Sequence, residues 1–113
     1  AVNEFTPDDE RPIPFKRMIY FGDGMTDIPS MKLTKDRGGN AVAVYDQSST
    51  SKNKALRLLV DNRVNFALHA DYRENKELDR VVKTILDRIA TERDLDLLKA
   101  REEKKKQLLS KKA

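Results

Sequence analysis

Three short apolar runs separated by helix-forming stretches set the strongest limit on how this chain folds. Residues 17–21 (RMIYF), 41–45 (AVAVY) and 65–69 (NFALH) are rich in Ile, Val, Phe or Tyr and are closed by polar or glycine residues, so each reads as a strand. Between the first two, DIPSMKLTKDRGG places Asp27 at a cap position, a proline in the first turn and a Gly38-Gly39 stop, which delimit a short helix. Between the second and third, SKNKALRLLVDNR groups Ala55, Leu56, Leu59 and Val60 on one predicted helix face. Strands that alternate with helices imply crossovers and a mainly parallel sheet covered on both faces, and the apolar AVAV run suits a strand buried on both sides. Three strands make a small sheet, so the expected fold class is α/β, the C-terminal part of a larger three-layer parallel sheet.

A last helix is expected from about Asn75. It sets Leu78, Val81, Val82, Ile85, Leu86 and Ile89 in one apolar stripe. Beyond Ile89 the sequence stays helix-favouring but becomes charged, with only Leu95, Leu98 and a Leu108-Leu109 pair to continue the stripe. The expected division is an irregular lead-in over 1–16, the α/β portion over 17–91 and a charged helical extension over 92–113. That extension reads either as a solvated helix end or as an arm for self-association or another partner. Residues 101–113 hold six basic and two acidic side chains, which account for the whole net charge of +4. A lysine-rich end without interleaved aromatics reads as a solvated helix, so no nucleic acid is expected as a partner.

No apolar run approaches the roughly 20 residues of a membrane span, so no membrane is expected either. The absence of cysteine removes disulfides and thiolate metal sites. The polar, proline-bearing opening lacks the basic start and apolar core of a signal peptide, and the expected location is the cytoplasm. A first residue other than Met suggests a piece of a longer chain.

The stretch FGDGMTD, residues 21–27, departs from ordinary packing sequence. A parallel strand ending at Phe21 delivers Gly22, Asp23 and Gly24 to the carboxyl edge of the sheet, where open α/β folds bind ligands. The two glycines let another group approach the backbone, and Asp27 at the start of the next helix can turn back toward Asp23. Two carboxylates at one strand end suit a hard cation such as Mg²⁺. Glycine and aspartate are also common turn and cap residues, so spacing alone leaves a structural turn open.

These residues resemble a family. IYFGDGMTDIPSM is similar to the GDGxxD motif of the haloacid dehalogenase-like (HAD) hydrolases, in the form found in phosphoserine-phosphatase-like members, with Thr26 and Met31 in register. The resemblance covers roughly residues 17–89 and is sharpest over 20–31. It implies a Rossmann-like core and a Mg²⁺-dependent phosphatase acting on a small phosphorylated substrate. In that family the aspartate nucleophile lies in a DxDxT motif, which this chain lacks. Carried over, Asp23 is a metal ligand and Asp27 a second ligand, direct or through water, with Gly22 and Gly24 forming the turn. The missing DxDxT implies that the chain is the C-terminal portion of such a hydrolase, inactive by itself and able to associate with a missing N-terminal part.

Among other candidates, Lys16 precedes Asp23 by an intervening strand and is expected at the opposite sheet edge. Asp46 and Asp71 follow the second and third strands and could face the same rim, but both are also ordinary loop residues. His69, the lone histidine, reads as structural or solvent-facing. Tyr45 and Tyr72 are expected to pack at strand edges. The reading from a different class is a non-catalytic interaction module, in which the aspartate turn is a cap and the terminal helix binds a partner.

Overall fold

The computed structural model describes residues 13–23 and 25–112. Its elements are β1 (Ile19–Gly22), α1 (Ile28–Asp36), β2 (Asn40–Tyr45), α2 (Ser49–Val60), β3 (Phe66–His69) and α3 (Glu77–Lys112). The chain divides after Val81 into two compact units. The first holds the sheet, α1, α2 and the opening of α3, and the second is the remainder of α3.

The first unit is α/β, with a parallel sheet of order β1-β2-β3. Ile19 stands opposite Asn40 and Gly22 opposite Ala43, while Val42 stands opposite Phe66 and Tyr45 opposite His69. β1 begins two residues later than the apolar run suggested, because Phe15–Arg17 form a single 3-10 turn after Pro14. The Arg17 amide donates to the Pro14 carbonyl at 3.0 Å, so the chain extends only from Met18.

Helix boundaries follow local chemistry. α1 ends in a reciprocal pair of bonds, from the Gly39 amide to Thr34 O at 2.8 Å and from the Gly38 amide to Lys35 O at 3.1 Å. Gly38 has φ of +88°, the left-handed geometry this stop requires, which a side chain would oppose. α2 stops in the same way with Asn62 at φ of +62°. At its start, Ser48 is extended and its Oγ accepts from the Ser51 amide at 3.1 Å, satisfying a donor that the helix itself leaves open.

Both crossovers run in the same direction across the sheet, so right-handed connections place α1 and α2 on one face. Met31 of α1 and Ala55 of α2 join one buried cluster with Ala41, Ala43 and Val64. Alanine at alternate β2 positions lets both helices come close to the strand. The opposite face of β2 is also buried, Val42 being fully inaccessible, which accounts for the unbroken AVAV run.

The core-facing side of α2 keeps Ala55 from the face the sequence suggested but is rotated away from the other three residues. Ala55 is buried and Leu58 half-buried against the core, whereas Leu56, Leu59 and Val60 are 38%, 40% and 76% exposed. Hydrophobicity alone could not choose between two apolar flanks of this helix, and docking on the sheet selected the one centred on Ala55 and Leu58. In α3, Leu78 and Ile85 are buried and Val81, Val82 and Ile89 half-buried. Leu86, assigned to the same stripe, is 50% exposed, so the stripe is narrower than expected. Tyr72 is 73% exposed rather than packed at a strand edge. Among the described residues, no helix is long and apolar enough to cross a membrane.

Candidate functional site at the carboxyl end of β1

β1 alternates its side chains, so Tyr20 and Gly22 share the face on which α1 lies. The missing side chain at Gly22 makes room for the turn that follows. A Cβ placed there would lie 2.8 Å from Asp27 Cβ, 3.0 Å from Met31 Sδ and 3.1 Å from Asp27 Cγ. Asp27 and Met31, one helical turn apart, therefore rest directly on the end of the strand. Met31 is fully buried and anchors the start of α1.

Met25–Asp27 form a 3-10 turn that runs into α1. Asp27 occupies the N-cap position, with Pro29 just inside the helix, but its side chain makes no capping bond. Its backbone is already helical, at φ of −85° and ψ of −11°, which turns the carboxylate away from the amides it would cap. Instead, the Tyr20 hydroxyl donates to Asp27 Oδ1 at 3.1 Å. The expected capping role is thus replaced by a bond back to the strand. Asp27 is half-buried and Asp23, immediately after β1, is exposed. Gly24, the second glycine of the turn, lies outside the described residues.

Tyr20 is the residue that sequence reading missed at this site. The available signal was its position two residues before Gly22, which puts it on the same face of the strand as the gap into which Asp27 folds. With Oδ1 engaged by the hydroxyl, Asp27 has a second carboxylate oxygen as a further acceptor, and Asp23 is exposed. That donor set, hard oxygens of formal charge −2 and open to water, is of the kind a Mg²⁺ ion accepts. Among the described residues, no three His, Cys, Asp or Glu side chains are grouped so as to hold a metal ion.

The other carboxyl-edge candidates have local work. Asp46 Oδ1 accepts from the Ser48 amide at 2.8 Å, while the Asp46 amide donates to Ser51 Oγ at 3.1 Å, which ties the β2 exit to the α2 cap. The bond from the Ser48 amide is the main cause of a carboxyl affinity for protons below the ordinary range. Asp71 is gripped by Arg73 through Nε at 2.9 Å and Nη2 at 2.7 Å, and this fork holds its carboxyl far below the usual value. His69 is half-buried, its ring 5.8 Å from that of Tyr45, and Lys52 Nζ stands 6.0 Å above the Tyr45 ring. Lys16 lies beside Gly38, its Cβ 4.0 Å from where a Gly38 Cβ would stand, at the amino end of the sheet and away from Asp23. A cleft of about 340 Å³ lies between the start of α1 and α2, with Ile28 and Leu58 in its lining and Lys54, Arg57 and Arg63 outnumbering Asp61.

No family model matches the chain, and no solved structure matches it. Over 80 residues it is 32% identical to an uncharacterized protein of Borreliella burgdorferi, a match covering 68% of this chain and 27% of that protein. The chain therefore spans about a quarter of the length of the relative it matches.

Proposed function

We propose that this chain is the C-terminal part of a haloacid dehalogenase-like phosphatase and supplies its Mg²⁺-binding turn. The observation that carries the reading is the placement of Asp27, folded onto Gly22 and held by Tyr20 at the carboxyl end of a parallel strand whose next residue is the exposed Asp23. The fold that accompanies it is α/β with a three-stranded parallel sheet, and strand-end sites are where open sheets of this kind bind ligands. Asp23 and Asp27 would hold the cation, Asp27 directly or through water. When bound, the cation would neutralise charge around a phosphoryl group. The chain's own contribution is to fix one carboxylate against the strand and to expose the other. The nucleophilic aspartate of the family belongs to residues outside these 113, as does recognition of a small phosphorylated substrate.

The hydrogen bond from Tyr20 also favours a second reading, in which Asp27 is a purely structural part of the turn. One experiment separates the two. In the longer phosphatase, Asp23→Asn keeps the shape of the turn but removes a charge, and turnover of an aryl phosphate falls by orders of magnitude, with partial recovery at high Mg²⁺. Near-normal turnover at low Mg²⁺, with an unchanged Tm, would assign the turn a structural role. The 113-residue chain alone is expected to bind the cation weakly, since two carboxylates leave most of an octahedral shell to water.

A further inference from the structure

The second unit carries an apolar and charged pattern that the proposed phosphatase site does not use. On the far half of α3, Leu95, Leu98 and Leu109 are 49%, 52% and 70% exposed. With Glu102 and Lys105 they form a seam in which steps of three and four residues alternate, the spacing at which one helix meets another. Glu102 and Lys105 already pair within the helix at 2.9 Å. We propose that this seam docks against the same seam of a second copy of the chain, and that the two helices run antiparallel.

The charges choose both the orientation and the seam. A parallel pair in register would set Glu102 against the partner's Glu102 and Lys105 against the partner's Lys105, both repulsive. The antiparallel pair sets Glu102 against the partner's Lys105 and Leu98 against the partner's Leu109, each twice by symmetry. Two clusters of three leucines, Leu95 and Leu98 from one copy with Leu109 from the other, then flank a four-charge centre of alternating sign. The adjacent row, Leu97, Arg101, Lys104 and Leu108, is just as exposed at its leucines, 63% and 61%. Its middle is cationic whichever way a second copy runs, so this row does not self-associate. The flank of the chosen seam brings Lys106 near the partner's Lys99, and Glu103, 3.6 Å from Lys106, offsets part of that repulsion. The seam spans about two heptads, fewer than the three or four of a self-sufficient coiled coil. The association is therefore weak and concentration-dependent.

Sedimentation equilibrium of the 113-residue chain from micromolar to millimolar concentration should show an average mass rising from monomer toward dimer. Glu102→Lys should abolish the rise, and the double exchange Glu102→Lys with Lys105→Glu should restore it, with helix content by circular dichroism unchanged in both. Orientation is read from disulfides, because the chain has no cysteine of its own. In an oxidised mixture of Leu98→Cys and Leu109→Cys chains, the mixed disulfide should exceed the statistical yield. Two copies of residue 98 would stand about 16 Å apart in the antiparallel pair from helical rise alone, beyond disulfide reach. A monomer at every concentration would overturn the proposal and leave this face to a different protein. Predominant 98–98 and 109–109 disulfides, or loss of association in the double exchange, would overturn the antiparallel register.

Discussion

Replacing Gly22 by alanine tests the claim that Asp27 and Met31 rest on the end of β1. The added methyl would stand 2.8 Å from Asp27 Cβ and 3.0 Å from Met31 Sδ. Asp27 Cβ is fixed to the backbone at the start of α1, and Met31 is fully buried. The helix start must therefore shift, and overpacking of this kind costs about 1–3 kcal/mol. Alanine also reduces the freedom of the unfolded chain, which returns roughly 0.4–1 kcal/mol. With a backbone-anchored atom as the nearest obstacle, the upper part of the first range applies, and the net loss is about 1–2 kcal/mol. For a unit of this size that corresponds to a Tm lower by roughly 5–15 °C.

Far-ultraviolet circular dichroism is dominated by α3, so unfolding should be followed through sheet amides by NMR during a urea titration. A double-mutant cycle identifies the obstacle. Asp27→Gly removes the Cβ, so Gly22→Ala in that background should be less costly than in the original chain by about 1 kcal/mol. If Gly22→Ala were neutral or stabilising, or if its cost were unchanged beside Asp27→Gly, the packing of the turn onto the strand described above would be wrong.

Two further outcomes follow from the loops at the carboxyl edge. Ser48→Ala removes the Oγ that accepts from the Ser51 amide and should cost about 1 kcal/mol, with faster amide exchange confined to the first turn of α2. The Asp71 carboxyl, depressed first of all by its bonds from Arg73, has a folded value below its unfolded one. Its contribution to stability is present above about pH 4, the ordinary aspartate range, and is lost as pH falls through the lower folded value. Carbon-detected titration should place Asp71 below the other surface aspartates, and Arg73→Gln should raise it toward them, the bond from the residue 73 amide remaining. An ordinary midpoint in the original chain would contradict the fork seen at 2.9 and 2.7 Å.

Much of the architecture was legible in the sequence because it is governed by near neighbours. The positive φ at Gly38 ends α1 regardless of what packs on it, and the unbroken AVAV run reports a strand buried on both faces wherever the sheet lies. The position of Asp23 directly after β1 and of Asp27 at the start of α1 was also readable, since strand end and helix start are set by the local sequence. The start of β1 was misplaced because Pro14 permits a single 3-10 turn that strand propensity does not see.

What only the tertiary structure decided depends on contacts between elements. α2 offers two apolar flanks, and the close approach allowed by Ala41 and Ala43 selected Ala55 and Leu58 over Leu56, Leu59 and Val60. The direction of successive crossovers, which no local pattern encodes, set both helices on one face. Asp27 carries the same side chain whether it caps a helix or not. It gave up the cap because its backbone turned helical one residue early and because Gly22 left a gap that put its carboxylate within reach of the Tyr20 hydroxyl.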